Sequence, residues 1–369
     1  MSFYDTITRF EAFDFDGFFN SVTDRDVERA LSTDRLTWQD FLALLSERAV
    51  KYLEPMAQKA RQLTIQYFGR TIQLYIPLYI ANYCSNECIY CGFNRTNKIN
   101  RKKLTLDEIE MEAEAISQTE MKHILVLTGE APKVTPIEYI EEAITILKKW
   151  FSSISIEIFP MDTDGYRRLK TAGVDGLTIY QEVYDRRIYD KVHLAGGKTD
   201  YRYRLDAPER GARSGLRNVN VGALFGLGEK RSEAFLAGMH AKYLEDHYLD
   251  TEIGLSLPRI NPAEGGFQPY DLVDDRTFVQ FMVAYRLFLP RAGIAISTRE
   301  CAEFRDRLLF LGATRYSAGS RTDVGGYAHP QEASTAQFEI SDERGVEKTI
   351  SAIREKGFQP VFKDWELIA

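Results

Sequence analysis

Three of the four cysteines crowd into one short run, Cys84-Ser-Asn-Glu-Cys88-Ile-Tyr-Cys91, while Cys301 lies far downstream. In a reducing compartment such a cluster reads as metal binding, not as a disulfide framework. Two chemistries compete. Zinc accepts thiolates at short spacing but wants a fourth ligand to complete a tetrahedron. An iron–sulfur cluster takes one thiolate per iron, so a [4Fe–4S] cube on three cysteines keeps one iron open, which is a catalytic arrangement. The fourth ligand decides between them. The five histidines, at 123, 193, 240, 247 and 329, are dispersed, and none pairs with another at ligand spacing. Cys301 is expected to be a free thiol.

The elements that must hold this loop follow from periodicity. Residues 1–70 read as a helical extension, with Leu53, Met56, Ala60, Leu63 and Tyr67 at three-four spacing on one face and Gly69 ending the last helix. After it, short apolar runs alternate with amphipathic segments. Strands are expected over 71–80, 123–129, 153–159, 176–182, 218–226, 252–258, 293–299 and 315–319. Helix starts of capping-box type stand at Thr105 with Glu108 and at Thr135 with Glu138. The second of these helices carries an apolar stripe at Ile137, Ile140, Ile144, Leu147 and Phe151. Eight βα units in sequence imply an α/β protein, a closed (β/α)8 TIM-type barrel over 71–322. A C-terminal cap over 323–369 is expected to hold a helix near 343–356. Pro77 cannot donate to a ladder, so it threatens to break the first strand.

In such a barrel, chemistry gathers where the strands end. The cysteine loop follows strand one, Glu130 closes strand two, Glu182 closes strand four, and Gly226 and Gly228 close strand five. Arg259 follows strand six, Arg299 and Glu300 close strand seven, and Ser317 and Ser320 lie at strand eight. Polar residues therefore collect on one rim. Plainer roles exist for several: Arg299 paired with Glu300, Tyr79 as a core aromatic, Ser317 as a strand-end hydroxyl, Arg204 on a charged helix surface, Glu130 and Glu182 as solvated carboxylates.

The 47 Lys and Arg against 54 Asp and Glu leave a net charge of −7. That argues against a nucleic-acid binder, which shows a basic face. No apolar run is long enough to cross a bilayer, and residues 1–17 lack the basic start and apolar stretch of a signal peptide. A cytoplasmic protein is expected.

The C-x3-C-x2-C spacing with an aromatic, Tyr90, before the last cysteine resembles the radical S-adenosylmethionine (SAM) superfamily. PLYIANYCSNECIYCGF at 77–93, LTGE at 127–130, IYQEVYD at 179–185, GALFGLGE at 222–229, SLPRINP at 256–262, STRE at 297–300, SAGSRTDVGGY at 317–327, FEISDERG at 338–345 and PVFKDWE at 360–366 resemble the tyrosine lyases of thiazole biosynthesis, the 2-iminoacetate synthases. Relatives on the same barrel are the tyrosine lyase of [FeFe]-hydrogenase maturation, tryptophan lyase and biotin synthase. The hydrogenase maturase carries a further cysteine motif in a C-terminal domain; no cysteine follows Cys301 here, which favours the thiazole type. A related aromatic amino acid lyase, of the hydrogenase-maturase or tryptophan type, or a biotin-synthase-like enzyme is the nearer alternative, and an iron–sulfur electron carrier or scaffold the distant, non-enzymatic one.

The resemblance implies that Cys84, Cys88 and Cys91 hold a [4Fe–4S] cluster whose open iron chelates SAM. It implies that Tyr90 helps seat the adenine and that Thr128, Gly129 and Glu130 receive the SAM amino group. Glu182 matches a ribose contact, Arg204 a partner of the SAM carboxylate, and Gly226 the glycine-rich approach to the adenine. For tyrosine, Arg299 is the choice for the carboxylate, since a guanidinium fork suits bidentate pairing, with Tyr79 and Ser317 near the amine and carboxylate. The implied reaction cleaves SAM to methionine and a 5′-deoxyadenosyl radical, takes hydrogen from the tyrosine amine, and breaks Cα–Cβ to give 2-iminoacetate and p-cresol. Thiazole synthase is the implied partner, and flavodoxin or ferredoxin the implied reductant.

Overall fold

The computed structural model describes residues 2–332 and 334–363. Eight parallel strands close into a barrel: β1 (Thr71–Ala81), β2 (His123–Thr128), β3 (Ser153–Glu157), β4 (Gly176–Thr178), β5 (Asn218–Gly222), β6 (Glu252–Ser256), β7 (Gly293–Ile296) and β8 (Arg315–Ser317). Closure comes from β1, which pairs β8 through Gln73–Tyr75 and β2 through Ile76–Ala81. All eight expected strands are present, most ending earlier than their apolar runs do. A ninth, β9 (Gln359–Val361), lies parallel to the first residues of β1. The last residues of the 360–366 motif lie outside the described residues.

Pro77 does not break β1. The carbonyls of Tyr75, Pro77 and Tyr79 accept from Ala318 N, the Tyr327 hydroxyl and Gly325 N, so these alternate residues face the β8 side. There the ladder has already ended at Tyr75 opposite Ser317. The missing N–H therefore costs no strand pairing.

Alternation along β1 sorts its two faces. Ile72, Leu74, Ile76, Leu78 and Ile80 are buried on the face toward the helices, while Tyr75, Pro77 and Tyr79 line the barrel interior. On β3 the same rule puts Ser153, Ser155 and Glu157 on one face. Deep in the barrel the inward residues are polar and matched: His123 Nε2 and Ser155 Oγ lie 3.0 Å apart, and Asn220 donates to Ser256 Oγ at 2.8 Å.

Five α-helices precede the barrel: Phe3–Ile7, Phe15–Ser21, Asp24–Ser32, Trp38–Leu44 and Leu53–Phe68. They pack on the helices Lys230–His247 and Asp275–Phe288 through stacked rings, Phe3 on His240 at 4.2 Å and Phe41 on Phe288 at 4.3 Å. The buried line of Leu53–Phe68 runs through Met56, Ala60 and Thr64, and Tyr67 is exposed, so the expected apolar face holds only in its middle. Gly69 ends that helix at φ 65°. The Thr105–Glu108 capping box forms. The one at Thr135 does not, because Pro136 occupies the cap position and the Thr135 hydroxyl turns back to Ala131 O.

From β8 the chain returns across the barrel mouth before the helix Val346–Glu355. This return is pinned to β7 and its loop by Ser341 N donating to Thr298 O at 2.8 Å and by Asn261 Nδ2 donating to both Arg299 O and Glu339 O. Beneath it Arg305 and Asp342, both fully buried, form an ion pair, and Arg305 also donates to Ser317 O.

Candidate active site at the barrel mouth

The cysteine loop leaves β1 and is fixed on both flanks by backbone bonds. Ser85 donates through N and Oγ to Glu130 O, at 2.9 and 2.7 Å, on the β2 side. Glu87 N donates to Ala195 O and Ile89 N to Val192 O on the other. Arg101 reaches under the loop to the carbonyls of Asn82, Phe93 and Asn94 at 2.6 to 2.9 Å. Gly129 has to be glycine: a Cβ there would stand 2.2 Å from Tyr83 O. The turn after β2 thus touches the entrance of the cysteine loop backbone to backbone.

Cys88 is buried, Cys84 and Cys91 half-buried, and Cys301 is exposed. Burial, then the charges of Glu130 and Cys91, push the Cys84 thiol up to about 11. Burial also pushes Cys88 and Cys91 up, with Lys198 pulling the other way. Three thiolates in such a place need positive charge supplied at sulfur, and iron supplies it. Among the described residues, no three His, Cys, Asp or Glu side chains converge as a single metal ion requires. His123 stands at the first residue of β2, the far end from the mouth. Cys301 caps the start of the helix Ala302–Leu308 and points to solvent.

Beside the loop lies a closed charge network. Arg204 donates to Glu130 Oε1 and to Tyr180 O, both at 2.7 Å, and stands 3.4 Å from Glu182 Oε1. Lys198 donates to the same Glu182 oxygen at 2.6 Å. Asn86, within the cysteine loop, donates to Glu130 Oε2 at 2.8 Å and accepts from Lys198 N at 3.0 Å. Arg204 is 6% exposed, not a surface residue, and neither carboxylate is solvated. Burial raises the Glu130 pKa, and Arg204, Lys198 and the Asn86 bond together more than reverse it, holding Glu130 ionised. Burial and Arg204 work against the charge on Lys198, and Glu182, Cys88 and Glu130 together outweigh them. Two carboxylates and two cations in one cradle suit a zwitterion that carries both an ammonium and a carboxylate.

Glu182 is the only non-glycine residue with positive φ, 73°, among the described residues. Such a backbone costs of order 1–3 kcal/mol and persists where its surroundings over-determine it; here Leu224 N donates to Glu182 O at 2.7 Å.

The cavity in the barrel mouth collects Tyr79, Tyr90, Cys91, Glu182, Arg299 and Ser317. The Tyr90 hydroxyl bonds His193 Nε2 at 2.8 Å. The other ring nitrogen faces Tyr189 O at 2.9 Å, so Nδ1 carries the proton and Nε2 accepts. Ser317 Oγ accepts from Thr298 N at 3.1 Å. Arg299 does not pair with Glu300. That carboxylate belongs to Arg259, which reaches it through Nε at 3.0 Å. Arg299 instead stacks on Phe338, 3.4 Å from the ring centre, and among the described residues its side chain donates only to Arg259 O, which leaves most of its fork at the cavity it lines. Burial lowers its pKa.

Not every expected residue lines this cavity. Cys84, Cys88, Thr128, Gly129, Glu130 and Arg204 lie behind it, toward the loop and the network. Gly226 has φ 119°, and a Cβ on it would meet Ile260 at 3.0 Å and Pro269 at 3.1 Å, so the fold itself requires glycine there. Sequence reasoning missed Lys198, Asn86, Arg101, Gln337 and Glu157. For Glu157 a signal existed: β3 is the one strand whose end supplied no residue to the expected rim, and Ser-Ile-Ser-Ile-Glu alternation carries its carboxylate inward.

A family model described as the radical SAM superfamily matches residues 78–236, and one described as the Biotin and Thiamin Synthesis associated domain matches 256–359. The 2-iminoacetate synthases of Salmonella typhimurium and of Escherichia coli K12 are each 40% identical to the chain over 350 residues, covering 94% of it and 92% of theirs. The crystal structure of HydG, a maturase of the [FeFe]-hydrogenase, superposes with a TM-score of 0.88 at 30% identity, over 94% of this chain and 79% of that one.

Proposed function

The chain belongs to the 2-iminoacetate synthase family of radical SAM enzymes, and from that premise we propose that it cleaves the Cα–Cβ bond of L-tyrosine to 2-iminoacetate and p-cresol, for the thiazole of thiamine. The observation that carries this reading is the 40% identity across nearly the whole length of both chains. A [4Fe–4S] cluster and SAM are its cofactors. When bound, they supply the one-electron cleavage of SAM that yields methionine and a 5′-deoxyadenosyl radical.

The protein supplies position and exclusion of water. Cys84, Cys88 and Cys91 would hold the cluster. Glu130, backed by Thr128 and Gly129, would receive the SAM ammonium, Arg204 its carboxylate and Glu182 the ribose, with Tyr90 and Gly226 beside the adenine. In the free protein these charges satisfy one another, so the cradle is already ionised and oriented. Arg299, held flat by Phe338, would clamp the tyrosine carboxylate, with Tyr79 and Ser317 beside the amine and carboxylate. The division into an extension over 1–70, a barrel over 71–322 and a cap over 323–369 belongs to the same reading. So do thiazole synthase as partner, flavodoxin or ferredoxin as reductant, and a cytoplasmic location; no helix among the described residues is long and apolar enough to cross a membrane.

Product analysis tests the proposal. Under anaerobic reducing conditions with SAM, tyrosine should yield p-cresol, and tryptophan should yield no lyase product. Preference for tryptophan, or SAM cleavage without p-cresol, rejects the tyrosine assignment while leaving the superfamily chemistry in place.

A further inference from the structure

We propose that Glu157, at the end of β3, is a catalytic residue that takes the phenol proton of the substrate and returns it to the departing p-cresol. The inference rests on the tyrosine-lyase reading above and goes beyond it by assigning the group that recognises the substrate's hydroxyl.

Topology puts Glu157 in the right place. In a closed eight-stranded barrel β3 and β7 are half a turn apart, so Glu157 faces the loop after β7 across the mouth. That loop carries Arg299. An amino acid whose carboxylate is held by Arg299 projects its side chain toward the opposite wall. Both residues line the one cavity, and Leu125 and Leu127 on β2 and Tyr180 after β4 flank Glu157 on either side. Register agrees: Tyr79, Leu127 and Glu157 share one level of the barrel. A ring entering from Arg299 toward the opposite wall therefore meets Leu125 and Leu127 beside a carboxylate.

Glu157 is also unemployed. Every other carboxylate described at the mouth is engaged: Glu130 and Glu182 by Arg204, Glu300 by Arg259. No hydrogen bond or ion pair to Glu157 occurs among the described residues, although it is half-buried. The groups facing it are Glu182 after β4, Arg299 after β7, Lys198 and Arg204 from the segment before β5, and the hydroxyls of Tyr75, Tyr79 and Tyr180. Burial and Glu182 raise its pKa to about 7 against the pull of Arg299, Lys198 and Arg204. A general base poised near the working pH is best matched to proton transfer.

The transfer balances. The phenol O–H bond breaks, its electron pair stays on oxygen, and the proton forms an O–H bond on the Glu157 carboxylate. The negative oxygen stabilises the benzylic fragment as Cα–Cβ breaks. The proton then returns to that oxygen. No electron is gained or lost in either transfer; the electron that completes p-cresol comes from the external reductant the reaction already uses, and the further proton that turns the benzylic carbon into the methyl group comes from solvent.

The test compares the reconstituted full-length protein with Glu157→Gln and Glu157→Asp across neutral pH. In the wild type, kcat/KM for p-cresol formation should rise as pH climbs through about 7. Glu157→Gln should lose roughly 10²-fold and lose the pH step, keep tyrosine-independent SAM cleavage, and recover with a ring-fluorinated tyrosine whose phenol ionises more easily. Glu157→Asp should keep the step at a reduced rate. A Gln variant with wild-type rate and pH profile overturns the inference, as does a loss that the acidic tyrosine does not rescue. Should the wild type form no p-cresol at all, the tyrosine reading fails and this role with it.

Discussion

The Tyr79 hydroxyl donates to Oε1 of Gln337 at 2.7 Å, and the same amide turns its nitrogen toward the Cys91 sulfur at 3.7 Å. One side chain from the returning segment thus touches both the substrate cavity and the third cysteine. Gln337→Ala removes the only acceptor described for a buried hydroxyl, a loss of about 1–3 kcal/mol. It should raise KM for tyrosine and shift the EPR signal of the reduced cluster. A change in one without the other would reject the bridge.

Arg299 spends one hydrogen bond on the protein and lies against Phe338. Replacing it with Ala should raise KM for tyrosine by about 10- to 100-fold, the equivalent of 1.5–3 kcal/mol for a charge-assisted bond, with SAM affinity unchanged in equilibrium binding. Equal losses for both ligands would remove Arg299 from the tyrosine site.

Gly129 meets Tyr83 O so closely that even a methyl group must displace backbone. Gly129→Ala should cost about 1–3 kcal/mol by overpacking and lower the iron bound per chain, because the displaced segment, Asn82–Tyr83, leads directly into Cys84. Cys301→Ser, on an exposed residue with no capping bond, should leave iron content untouched. Full iron in Gly129→Ala would show that the loop is not held through this contact.

Burial works against ionisation of Asp342, but Arg344 and Arg305 outweigh it and hold the carboxyl below the usual range. The folded pKa is depressed, so this pairing stabilises fully above the unfolded value near 3.9 and fades as pH falls through it toward the folded one, at most about 1.4 kcal/mol per pH unit. Because Ser341 and Asp342 pin the return over the mouth, amide protection across 334–342, taken relative to the intrinsic exchange rate at each pH, should be lost on acidification before that of β1 and β2. Simultaneous release of the barrel strands would contradict a separate clamp.

Much of this was legible because it is local. The eight strands, the cysteine loop and the rim positions of Glu130, Glu182, Arg299 and Ser317 follow from alternation and from where a parallel barrel puts its loops. What stayed hidden depends on distant pairing. Glu300 belongs to Arg259 because the β6 and β7 loops meet, and adjacency in sequence pointed instead to Arg299. Lys198 enters the site only because Gly196 lets its loop touch Asn86. Gln337 sits in irregular chain 258 residues from its partner Tyr79, where no periodicity speaks. The Thr135 cap failed to form because Pro136, rather than the threonine, sits at the start of the helix.

The central claim is tested most directly by quantifying products from ring-labelled L-tyrosine under anaerobic reducing conditions with SAM. Labelled p-cresol should appear in step with 5′-deoxyadenosine, with 2-iminoacetate recovered as its hydrolysis product. Consumption of SAM with the label still in intact tyrosine would contradict that claim.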